Sequence, residues 1–117
     1  MDDSAADPLP PPPPWTNKAR HMTLDEFKDT LGHDTPPDDL PEELRAMWLS
    51  FRDGWEAGHV IVQDIESSSA AWVHAHLHRI EGDLSNAAYW YRRAGRPNCD
   101  ASLDSEWDQI AATLLKT

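Results

Sequence analysis

Apolar residues in this chain recur every three or four positions, and no segment alternates with period two. Leu103, Trp107, Ile110, Ala111 and Leu114 fall at i, i+4, i+7, i+8 and i+11, the spacing that lines one face of a helix. Leu44, Met47, Trp48 and Phe51 form a second such stripe, and Leu84, Ala87, Ala88, Tyr91 and Ala94 a third. A shorter one, Leu24, Phe27 and Leu31, follows the capping box Thr23-Leu24-Asp25-Glu26 and ends at Gly32, predicting a helix over 24–31. A second capping box, Asp39-Leu40-Pro41-Glu42, predicts the start of the next helix. Further helices are predicted over about 55–65, 70–81 and 84–94, and a last one from Ser102. The expectation is an all-α fold without strands.

Two of these helix pairs repeat with an offset of 29 residues (75 − 46): Ala46 aligns with Ala75, Trp48 with Leu77, Phe51 with Ile80, Trp55 with Leu84 and Gly58 with Ala87. Large apolar residues meet large ones and small meet small. Small residues at the paired positions let antiparallel helices approach closely, so two helix-turn-helix hairpins plus a C-terminal capping helix are expected. The second hairpin, from Ala71 to Pro97, resembles a tetratricopeptide or Sel1-like repeat. Gly82-Asp83-Leu84 stands at that family's turn, Ala75, Ala87, Tyr91 and Ala94 match its small and aromatic positions, and Tyr-Trp-Tyr-Arg-Arg-Ala-Gly looks like a Sel1-type second helix. His74 and His78 depart from it, standing where the family prefers Leu and Tyr. The stretch from Trp72 to Gly95 also resembles a small family of bacterial proteins, which implies no activity. What the repeat resemblance implies is a scaffold that binds a peptide or protein.

Composition divides the chain near Pro41. Nine of ten prolines (Pro8, Pro10 to Pro14, Pro36, Pro37 and Pro41) lie in the first 41 residues, while five of six tryptophans follow. Residues 1–40 read as an acidic, proline-rich, expendable leader carrying one short helix that docks on the body, and 41–117 as the helical-hairpin bundle. So short a body is marginal by itself, which makes a homodimer a reasonable expectation. The net charge of −11 repels phosphate backbones and anionic lipid, which disfavours nucleic-acid and membrane partners. A single cysteine, Cys99, and an N-terminus without a basic and apolar signal fit a cytoplasmic protein.

Candidate chemistry is sparse, and no catalytic residue is assigned. His74 and His78 share a helical face as a His-x-x-x-His pair, able to hold a divalent transition metal, with Glu81 and His59 as further donors; His76 points elsewhere. The plainer alternative has both imidazoles bonded to Tyr91, Asn86 or a backbone carbonyl. On the helix over 84–94, Asn86, Tyr89, Trp90 and Arg93 make an outward face of the residue types that dominate binding hot spots. Arg92 and Arg93 are a basic island in an acidic chain; surface salt bridges with neighbouring carboxylates are expected, with an acidic peptide or carboxylate ligand as the alternative. The reading preferred from sequence is a non-catalytic protein-interaction module without a cofactor, and the metal-binding protein is its alternative.

Overall fold

The computed structural model describes residues 22–116, and every regular element among them is a helix. The run Pro10–Pro14 and Trp15 lie outside the described residues. Helix α1 (Leu24–Asp29) starts from the expected capping box: Glu26 N donates to Thr23 Oγ1 at 3.1 Å and Thr23 N to Glu26 Oε1 at 2.9 Å. It then tightens into a 3-10 turn over Thr30–Gly32 instead of continuing as α-helix. There the Thr30 hydroxyl donates to the Phe27 carbonyl and accepts from Trp48 Nε1.

Helix α2 (Glu42–Asp53) lacks the predicted second capping box. Asp39 is left-handed, with φ 66, and Pro41 occupies the cap position without a side-chain bond. Helix α3 (Trp55–Val62) ends three residues before the predicted 65, where Ile65 N closes a turn on the Val62 carbonyl. Helix α4 (Ser68–Glu81) begins two residues earlier than predicted, because Ser67 Oγ accepts from Ala70 N. Helix α5 (Leu84–Ala94) is held between Gly82 and Gly95, both left-handed, and α6 (Leu103–Leu115) is capped by Ser102.

The helices pair as α2–α3 and α4–α5, with α6 lying against α2 and α4. In the first hairpin Gly58 is the point of closest approach: a Cβ there would stand 2.6 Å from the Ala46 carbonyl oxygen. Helix α4 is the central element, packed against α2, α3, α5 and α6, and its residues from Ala70 to His78 are all buried. Three residues assigned to inner stripes are exposed instead: Phe51 at 57%, Leu84 at 67% and Leu103 at 39%.

The division expected at Pro41 does not coincide with the edge of the core. Met22 and Phe27 are buried, and the Phe27 ring stacks on Trp107 of α6 at 5.7 Å and 17°. Lys28 pairs with Asp108 at 3.0 Å. Helix α1 therefore completes the core, and the segment from Met22 onward is no expendable leader.

Candidate metal centre

Helix α3 brings His59 against the pair His74 and His78 on α4. Positions 74 and 78 are one turn apart, so both rings project toward α3. The ligand atoms of the three imidazoles lie within 4.8 Å of one another, and the ring centroids are 4.6, 4.9 and 5.3 Å apart. In a tetrahedral site with metal–nitrogen bonds of about 2.0–2.1 Å, neighbouring nitrogens stand roughly 3.3 Å apart, so the rings need only turn inward by an ångström or so.

Two tryptophans wall the cluster. Trp90 of α5 stacks on His74 at 3.8 Å and 12°, and Trp55 meets His59 edge to face at 5.6 Å. The surroundings also set the charge state. Burial, then the neighbouring His59 and His78, lower His74 from an ordinary 6.5 to about 4. Burial and then His78 lower His59, against an opposing pull from Glu81. Neutral imidazoles keep the lone pairs that a metal needs.

The second layer is in place on one ligand. His78 Nδ1 lies 2.9 Å from Glu81 Oε1, which orients the ring and leaves Nε2 as its donor toward a metal. Glu81 thus serves more directly as an orienting carboxylate than as a ligand, although His78, Glu81 and Asp83 also offer ligand atoms within 4.8 Å of one another. His74 has no such partner. Its Nδ1 is the one buried side-chain nitrogen or oxygen among the described residues without a hydrogen bond. Such an orphan normally costs about 1–3 kcal/mol, and a metal ion would relieve it.

Neither Tyr91 nor Asn86, two of the partners expected under the plainer alternative, is bonded to these histidines. Tyr91 donates to Glu106, Asn86 bonds Asp83, and His78 uses Glu81. On the opposite side of α4, His76 joins a network that sequence reasoning missed. Glu106, 1% exposed, receives His76 Nδ1 and Arg79 Nη1 at 2.7 Å each, and the Tyr91 hydroxyl. One signal for it was available: Glu106 falls between Leu103 and Ile110 on the inner stripe of α6, a charge at a core position.

The four residues expected at a partner surface separate. Asn86 turns back to Asp83 and Trp90 covers His74, while Tyr89 and Arg93 remain exposed on α5. Compared with known proteins, the chain matches no family model, no curated protein and no solved structure. The tetratricopeptide resemblance therefore rests on the sequence pattern alone. No helix among the described residues is long and apolar enough to cross a membrane.

Proposed function

We propose that this protein binds a divalent transition metal through His59, His74 and His78. The observation that carries the reading is the orphaned, buried Nδ1 of His74 inside a cluster of three imidazoles. Nitrogen donors without thiolate or a carboxylate cage favour zinc, nickel, cobalt or copper over calcium or magnesium. Because His59 comes from α3 and the other two from α4, the ion joins the two hairpins, and binding adds directly to their stability. The protein acts as a small metal-holding protein of the cytoplasm, the compartment that its lone cysteine suits. The interaction module expected from sequence concerns a different face, the outer side of α5.

The test is thermal melting of the untagged full chain, with metal content measured after purification. Zinc or nickel at about a hundredfold excess over Kd adds roughly 2.7 kcal/mol, raising Tm by about 10 °C or more, and chelator reverses it. His74→Ala with His78→Ala abolishes the response, while exposed His33→Ala keeps it. His76→Ala is unsuitable as a silent control because it breaks the Glu106 network. A native protein that melts at the same temperature with metal and with chelator refutes the assignment.

A further inference from the structure

Arginines 92, 93 and 96 crowd the C-terminal end of α5, all three exposed, in a chain with 21 acidic and 10 basic residues. Among the described residues only some basic side chains reach carboxylates, and Arg52 donates to the Leu31 and His33 carbonyls instead. Lys28 pairs with Asp108, Arg45 with Glu42 and Arg79 with Glu106. Arginines 92, 93 and 96 do not. Among the described residues none of them is within ion-pair distance of an acid, although Glu66 and Asp100 line the recesses beside them.

What holds them instead is aromatic. Arg93 lies over Tyr89 at 5.8 Å and Trp90 at 5.2 Å, Arg92 over Tyr89 at 5.9 Å, and Arg96 over Trp72 at 3.4 Å. A guanidinium stacked by its face keeps its N–H edge free, and each has five donors. Among the described residues only Arg93 Nη1 of these is engaged, with the Tyr89 hydroxyl at 2.9 Å. Three pre-oriented forks beside an exposed tyrosine match bidentate carboxylate recognition. Recesses of about 230 Å³, walled by Trp90 and Arg93, and about 270 Å³, walled by Trp72 and Arg96, give a ligand somewhere to seat.

We infer that this arginine–aromatic ridge docks a short acidic peptide segment of a partner protein. Charge selects that occupant. The whole chain carries −11, so long polyanions such as nucleic acid are repelled, whereas a segment with a few carboxylates meets this locally basic surface without facing the rest. Tyr89, 42% exposed, supplies apolar contact area between the charges.

The experiment is fluorescence anisotropy of a labelled decapeptide, Asp-Glu-Asp-Glu-Leu written twice, titrated with the full chain. Binding is saturable at low ionic strength and weakens at about 150 mM salt, where exposed charges are screened. Arg93→Gln with Arg96→Gln weakens it at least about tenfold, the lysine pair restores it only in part because an ammonium lacks the planar fork, and Arg45→Gln has no effect. Arg92→Gln with Arg93→Gln repeats the loss without touching the Trp72 stack, and unchanged melting curves verify the fold. Binding indifferent to these arginines, or a Lys-rich decapeptide binding as tightly, overturns the inference. So does self-association that the Arg93→Gln, Arg96→Gln variant abolishes, since the occupant is then a second copy.

Discussion

Replacing Glu106 with Gln tests the largest polar commitment in this core. Burial alone would raise the Glu106 pKa, but hydrogen bonds from His76, Tyr91 and Arg79 outweigh it and hold the carboxylate down, from an ordinary 4.5 to about 2. That difference, roughly 2.5 units at 1.36 kcal/mol each, corresponds to about 3 kcal/mol of stability. The folded value lies below the unfolded one, so the contribution is complete above about pH 4.5. It fades as pH falls through that value toward 2. Gln keeps the shape and one acceptor, yet it turns an amide toward a donor and leaves Arg79 without its counter-charge. Urea unfolding of both proteins across pH therefore gives a difference near 3 kcal/mol at pH 7 that shrinks steadily below pH 4.5. Titrating groups remote from Glu106 are common to the two proteins and cancel. A difference under about 0.5 kcal/mol at neutral pH, or one that stays constant down to pH 3, would refute the reasoning.

Two further changes probe the packing. Gly58→Ala should lower Tm, since its Cβ meets backbone at Ala46 that cannot swing aside; overpacking of about 1–3 kcal/mol exceeds the roughly 1 kcal/mol that alanine adds to a helix, and a more stable variant would disprove the close approach. A chain beginning at Asp38 should melt far lower or without cooperativity, because losing Phe27 alone is worth about 3–5 kcal/mol, and a native-like melt would remove α1 from the core.

Much of the fold was legible because helical periodicity and caps are local. Thr23 with Glu26, Ser102, Gly82 and Gly95 each punctuate the chain by their own chemistry. The Asp39 box failed because the left-handed backbone at Asp39 is incompatible with a cap there. Composition misjudged residues 22–33, since prolines on both sides say nothing about what Phe27 reaches in space. For the site, the spacing of His74 and His78 gave one face of one helix. His59 was already named beside Glu81 as a further donor, but which of the two would close the cluster, and that Trp90 would turn inward onto His74, depended on how α3 and α5 pack on α4, which no local pattern encodes.

The stack of Phe27 on Trp107 joins residues 80 positions apart (107 − 27). The hairpins are made of neighbours in sequence and can form early, whereas this closure has to wait for a long loop to be brought together. On the ribosome, α1 emerges well before its partner ring does. Until then Phe27 stays uncovered in a nearly complete fold. Docking α1 onto α6 therefore closes a contact across a long stretch of chain, and its cost lies in loop closure more than in helix formation.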